Sequence, residues 1–193
     1  MTSELSQLEQ AIDAIERASS PAKMIEAVQQ LVNLQCPEAI PTLIKVLGYN
    51  NPSAAAIAMG GVIALGEVAV PHLLNLMDDH NYGARAYTVR ALASIADPRA
   101  LDRLLYCALQ DFAPSVRRAA IKGLGNVASK LASLDINKVI NTLQLILQDE
   151  DWSMRYAAIV ALSRFPAGIS LLRQWRAPEK DPVVKARLLL AIA

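Results

Sequence analysis

Side chains able to do acid–base, nucleophilic or metal chemistry are few and scattered in this 193-residue chain. His72 and His80 have neither the i,i+4 spacing nor the Cys/His companions that close a metal site, so no metal is expected. Cys36 and Cys107 lie far apart without a paired-thiol spacing and suit small buried hydrophobes in a reducing compartment. The string Gly123-Leu124-Gly125-Asn126-Val127-Ala128 matches the G-x-G-x-x-A pattern of dinucleotide sites. It falls at the end of a helical pattern, however, and not between a strand and a helix. There is no Walker loop, and no Ser or Cys can be tied to a base, so no catalytic residue is assigned. What remains is a set of cations and aromatics: Tyr87, Arg90, Arg118, Lys122 and Tyr156, with His80, Asn81, Tyr82, Phe112, Asp151 and Trp152 in the adjoining turns. Guanidinium groups bind carboxylates, aromatic rings stack, and helix N-termini supply N–H donors, which suits a flat conjugated ligand carrying acids. An ordinary solvated face with aromatics plugging corners fits the same residues, and both readings stay open.

These residues are in phase with a repeat. Asn51-Pro52-Ser53-Ala54-Ala55, Asn81-Tyr82-Gly83-Ala84-Arg85, Ala113-Pro114-Ser115-Val116-Arg117, Asp151-Trp152-Ser153-Met154-Arg155 and Asp181-Pro182-Val183-Val184-Lys185 align, their second residues 30, 32, 38 and 30 positions apart. The first four open runs with apolar residues at helical spacing, such as Val116, Ala120, Ile121, Leu124 and Val127. An Asn, Asp or Ser acceptor followed by Pro is helix-initiating chemistry. Shorter amphipathic runs lie between them, over 38–47, 68–77, 98–109, 137–147 and 168–175, and two more helical patterns precede Cys36. The expected fold is all-α: a single domain over 1–193, an α-solenoid of about six helical hairpins wound as a right-handed superhelix. Gly60, Gly61 and Gly123 fall inside helical runs and are expected to permit close packing, while 128–137 is expected to be a longer connection.

An acid recurs six positions before a base: Asp79 and Arg85, Asp111 and Arg117, Asp149 and Arg155, Glu179 and Lys185. Recurrence in phase predicts a ladder of ion pairs and backbone hydrogen bonds at the hairpin corners, since every junction of an array has the same needs. On the helical wheel, the face two and six positions beyond Ala84, Val116 and Met154 carries Arg90, Arg118, Lys122 and Tyr156.

Composition narrows the function classes. With 53% hydrophobic and 19% charged residues the chain can bury a core, and a net charge of +1 supplies no field for nucleic acid. The apolar stretch 54–66 is short for a bilayer and contains three glycines, so no transmembrane segment is expected, and the N-terminal residues do not resemble a secretory signal. Val183, Val184, Leu188, Leu189, Leu190 and Ile192 crowd the last segment without a polar covering face, which predicts a partner there.

The segments Asn81-Tyr82-Gly83-Ala84-Arg85-Ala86, Arg90-Ala91-Leu92-Ala93, Asp97-Pro98-Arg99-Ala100-Leu101 and Asp111-Phe112-Ala113-Pro114-Ser115-Val116-Arg117-Arg118-Ala119-Ala120 resemble the HEAT-like repeats of phycobilisome lyases. Within that family the chain is similar, over nearly its whole length, to the smaller, F-type subunits of heterodimeric enzymes. The resemblance implies a cyanobacterial, cytoplasmic lyase that attaches phycocyanobilin through a thioether to a cysteine of apo-phycocyanin α, with a larger E-type HEAT-like subunit as partner. Phycocyanobilin is then a bound substrate, and no permanent cofactor is implied. Relatives that also isomerise the bilin carry a His-Cys pair where this chain has His80-Asn81, so attachment without isomerisation is expected. On this reading Arg90, Arg118 and Lys122 hold carboxylates, Tyr82 and Trp152 contact the chromophore, and Asp151 faces the ring nitrogens or caps a helix. A non-catalytic HEAT adaptor, a bilin chaperone and a DNA-binding HEAT protein are the alternatives, the last weakened by the near-neutral charge.

Overall fold

The computed structural model describes residues 2–75, 81–175 and 179–193, with side chains from residue 6 onward. Among the described residues there are twelve α-helices and no strand. They are α1 (Thr2–Glu16), α2 (Pro21–Asn33), α3 (Ile40–Val46), α4 (Pro52–Leu65), α5 (Val70–Asn75), α6 (Tyr82–Ile95), α7 (Leu101–Gln110), α8 (Pro114–Val127), α9 (Ser133–Ile146), α10 (Trp152–Leu162), α11 (Pro166–Gln174) and α12 (Pro182–Ile192). Each odd-numbered helix and its successor make one hairpin, six in all among these residues.

The corners show why these residues start helices where they do. Ser20, Asn51, Asn81, Asp151 and Asp181 each accept a hydrogen bond from a first-turn backbone N–H, satisfying a donor that the helix itself cannot. The two asparagines do more. Asn51 Nδ2 donates to the Pro21 carbonyl at 3.2 Å and Asn81 Nδ2 to that of Gly48 at 2.9 Å, so one amide both caps its helix and ties it to the preceding hairpin.

The chain divides into two compact units, Met1–Ile95 and Ala96–Ala193. In the first, α4 packs between α2 and α6, and in the second α10 packs between α8 and α12. Each even helix of the second unit also packs on the odd helix of its own hairpin. Small and branched residues fill these layers: Ala54, Ala58, Val62 and Leu92 in the first unit, Leu104, Ile121, Leu124, Leu143 and Ala158 in the second.

Three expectations change. Residues 128–137 are not a long connection: a short 3-10 turn at Ala128–Lys130 leads into α9 at Ser133. The extra residues lengthen that helix to 14, where Asp135 suits the N-terminal turn and pairs with Lys138 at 2.8 Å. Gly60 faces open space, whereas a Cβ on neighbouring Gly61 would meet Val32 Cγ2 at 2.6 Å; Gly123 is buried. The apolar run is also longer than 54–66. Pro52–Asn75 spans 24 residues and contains an 18-residue stretch of mean hydropathy 1.8, but α4 ends at Leu65, and Gly66, with φ of +69°, breaks the run into α4, a 3-10 turn and α5.

Helix α2 ends with Gln35 in the left-handed region, φ 49°, where glycine is the usual residue. Gln35 is exposed, so Gln35→Gly relieves Cβ strain at little cost in contacts. It should raise stability by roughly 0.5–1 kcal/mol, a shift of a few degrees in Tm by calorimetry. An unchanged or lower Tm counts against strain at this cap.

Candidate functional site

The second unit holds a groove of about 610 Å³ lined by Arg118, Trp152, Ser153, Tyr156, Ala157 and Val183. Three helices build it: α8 supplies Arg118, α10 Trp152, Ser153, Tyr156 and Ala157, and α12 Val183. Its volume is that of a small-molecule pocket, and its lining, largely apolar with one cation, has the usual character of such sites.

Each side chain is placed by local chemistry. Trp152 is the first residue of α10 because Asp151 caps that helix, its Oδ1 accepting from Ser153 N at 2.8 Å. Tyr156 follows one turn later on the same side of α10, so the two rings line one wall. Trp152 is 49% exposed, a large apolar surface left open to a ligand. Arg118 crosses from α8, its Nη1 donating to Ser153 Oγ at 3.2 Å. Hydrogen bonds from Ser153, first its hydroxyl and then its backbone N–H, hold the Asp151 carboxyl below the usual carboxylate range. Burial opposes this weakly, and the charges of Arg118 and Arg117 assist. The groove mouth therefore carries a chain Arg118, Ser153, Asp151 with the carboxylate ionised. A cation beside two aromatic rings and an apolar wall can hold an anionic, flat, conjugated molecule.

Among the residues expected from sequence, Arg118, Trp152 and Tyr156 meet in this groove with Asp151 at its rim. Lys122 is exposed one turn further along α8 and is not part of the lining. Phe112, 79% exposed, stands at the corner before α8. The others belong to the first unit, where Arg85 lies over the Tyr82 ring at 5.9 Å, Arg90 over Tyr87 at 5.7 Å, and Tyr87 Oη donates to the Pro52 carbonyl at 3.3 Å. Asn81 serves the corner described above, and His80 lies outside the described residues. Ser153, Ala157 and Val183 were not expected in the site. Ser153 shares a turn with Trp152, and only the fold shows that its hydroxyl meets an arginine 35 positions earlier.

Two of the recurring bases, Arg117 and Arg155, are seen as framework, although they pair across repeats and not within them; Asp79 lies outside the described residues and Lys185 is exposed. Arg117 bonds Asp149 of the next hairpin, and Arg155 grips Glu179 through two bonds of 2.8 Å. Asp111, Asp149 and Glu179 each also accept the backbone N–H two residues on, at 2.9 Å, which holds the corner leading into the next helix.

Comparison with known proteins agrees with this architecture. HEAT repeats match residues 70–136 and 104–193, and the PBS lyase HEAT-like repeat matches 25–49. The phycocyanobilin lyase subunit beta of Nostoc sp. (strain PCC 7120 / SAG 25.82 / UTEX 2576) is 49% identical, the alignment covering 99% of this chain and 98% of that protein. The phycocyanin alpha phycocyanobilin lyase CpcF of Synechocystis sp. (strain ATCC 27184 / PCC 6803 / Kazusa) is 44% identical over 91% of this chain and 83% of its own. A chain in the structure of the complex of CpcE and CpcF of phycocyanin lyase from Nostoc sp. PCC7120 superposes with a TM-score of 0.73 and 54% identity, covering 81% of this chain and 99% of that one. A designed armadillo repeat protein, 18% identical with a TM-score of 0.61 over 97% of this chain and 100% of its own, shares the fold alone. Identity of this order along nearly the whole length, with HEAT repeats over both units, shows that the chain belongs to the F-type (beta) subunits of the HEAT-like phycocyanobilin lyase family.

Proposed function

We infer that this chain is one subunit of a heterodimeric bilin lyase, working with a larger E-type HEAT-like subunit to attach phycocyanobilin to a cysteine of apo-phycocyanin α. The observation that carries the reading is the groove of Arg118, Trp152 and Tyr156 in a chain with full-length relatives named for this activity. The acceptor sulfur bonds to the exocyclic carbon of bilin ring A and the thiol proton ends on the neighbouring ring carbon, giving a thioether with nothing released. No isomerisation is included, because His80 is followed by Asn81 and not by cysteine. Such an addition is helped most by holding a flexible tetrapyrrole in one conformation and keeping competing water away. Trp152 and Tyr156 stack on the conjugated rings, Arg118 and Lys122 attract the propionates, and ionised Asp151 stabilises positive charge on the ring nitrogens. In the first unit the Tyr82–Arg85 and Tyr87–Arg90 pairs offer the same aromatic and cationic chemistry. The repeat register continues through both units, and we read 1–193 as one functional domain. The cytoplasm is the proposed place of work, a reading supported by the cyanobacterial relatives. On α12, Leu189 and Leu190 are 57% and 72% exposed and are proposed to meet the larger subunit.

Reconstitution of the chain with its larger subunit, apo-phycocyanin α and phycocyanobilin tests this. Trp152→Ala should cut attachment about tenfold or more, because it deletes the largest stacking surface of the groove. Leu189→Glu with Leu190→Glu should abolish association while helicity is kept, since both side chains are already in solvent. Full activity from the chain alone, or an unaffected Trp152→Ala, defeats the proposal.

A further inference from the structure

We propose that Ser153 is a positioning residue, setting Arg118 as the anchor for one free carboxylate of the tetrapyrrole, so that the groove selects the free acid over its esters. The proposal rests on the groove being the bilin site and goes beyond it in naming what the groove discriminates.

The contrast among the arginines is the starting point. Arg117 and Arg155 turn inward and are paired with Asp149 and Glu179, which fixes them as framework. Arg118, the next residue on α8, is exposed, and the partner it reaches is a neutral hydroxyl, Ser153 Oγ at 3.2 Å. An arginine side chain has four rotatable bonds and, left in solvent, would populate many directions. Here Ser153 sits where its backbone cannot drift: its N–H is held by Asp151 Oδ1 at 2.8 Å, which leaves its hydroxyl in place to accept from Arg118 Nη1 at 3.2 Å. The hydroxyl uses one of the five guanidinium N–H donors and keeps the planar fork beside Trp152 and Tyr156, where both rings line the same groove. A carboxylate stacked into the groove through its conjugated body can then take two parallel charge-assisted bonds from the fork. An ester keeps the carbonyl acceptor and loses the charge and the second strong acceptor, so it gains far less.

Titrating the full chain with phycocyanobilin and with its dimethyl ester, read by the visible absorbance of the bilin, separates the outcomes. The unmodified chain should bind the free acid about tenfold or more tightly than the ester. Arg118→Gln should remove that preference, and Ser153→Ala should reduce it several-fold, each by weakening the free acid far more than the ester, with helical circular dichroism showing that the chain is still folded. Ser153→Thr, which keeps a hydroxyl, should restore the preference. Equal affinity for acid and ester in the unmodified chain, or an undiminished preference in Ser153→Ala, overturns this proposal and leaves the groove reading intact. Binding of neither compound, by the chain or by its complex with the larger subunit, overturns both.

Discussion

Gly125→Ala is expected to destabilise the chain by about 3 kcal/mol or more, lowering Tm by roughly 6–12 °C in a domain of this size. A Cβ built on Gly125 would lie 2.7 Å from Ala161 Cα, 2.9 Å from its Cβ and 3.0 Å from its carbonyl oxygen. These are backbone or backbone-fixed atoms of α10, with no side chain that could swing aside. The methyl can be housed only by moving α8 away from α10, and the groove spans those two helices through the Arg118–Ser153 bond. Bilin affinity should therefore fall together with stability. Gly60→Ala is the control: its Cβ meets nothing within 4 Å, and the substitution should stabilise by about 1 kcal/mol through helix propensity alone. Thermal melts of the two variants decide the matter, and a Gly125→Ala chain that melts with the parent would sink the close-packing account.

Gly125 also illustrates which features the sequence makes legible. Its place in a G-x-G-x-x-A string suggested phosphate chemistry, and helical context argued against that, but the true reason for the glycine lies in an Ala 36 positions away. The hairpins could be read because their corners carry local chemistry at a steady spacing: Asn51, Asp151 and Asp181 cap within two or three residues. Side-by-side placement of Arg118, Trp152 and Tyr156 could also be read, since a fixed rotation per residue and a known register set the face of each helix. Partners in other helices could not. Gly60 and Gly61 are neighbours in one helix, and only tertiary packing selects the second to meet Val32. The acid and base six residues apart recur correctly, yet the base bonds the acid of the next hairpin, because α8 and α10 lie side by side and bring Arg117 to Asp149. Ser153 follows the same rule: it carries a hydroxyl of no special sequence context, and its meaning comes from the arginine that crosses to it.

The ladder itself leads to the second large effect. Arg155 donates twice to Glu179, at 2.8 Å each, and through Nη1 to the carbonyls of Asp149 and Glu150 at 2.8 and 3.1 Å. Both side chains of the pair are largely shielded, 16% and 11% exposed, so removing one leaves the other desolvated and uncompensated. Arg155→Ala should cost about 3 kcal/mol for that reason, and Arg155→Lys should recover little of it, because an ammonium cannot make the forked contact. The loss also reaches the groove. Glu179 Oε1 accepts from Asp181 N at 2.9 Å, and Asp181 caps α12, whose Val183 forms the apolar wall. The pH dependence has a definite sign. The Arg155 hydrogen bonds hold the Glu179 carboxyl below its ordinary value of 4.5, outweighing the opposing effect of burial. A carboxylate with a depressed folded-state pKa contributes stability that is complete above the unfolded value and lost as pH falls through the folded one. The difference in unfolding free energy between the parent chain and Glu179→Gln should thus be constant at neutral pH and close below about pH 4.5. Arg155 stays charged throughout that range and adds no slope of its own. Urea melts of both chains from pH 7 to pH 3 measure the difference, and one that persists undiminished to pH 3 would show that the pair acts through packing and not through the charge of Glu179.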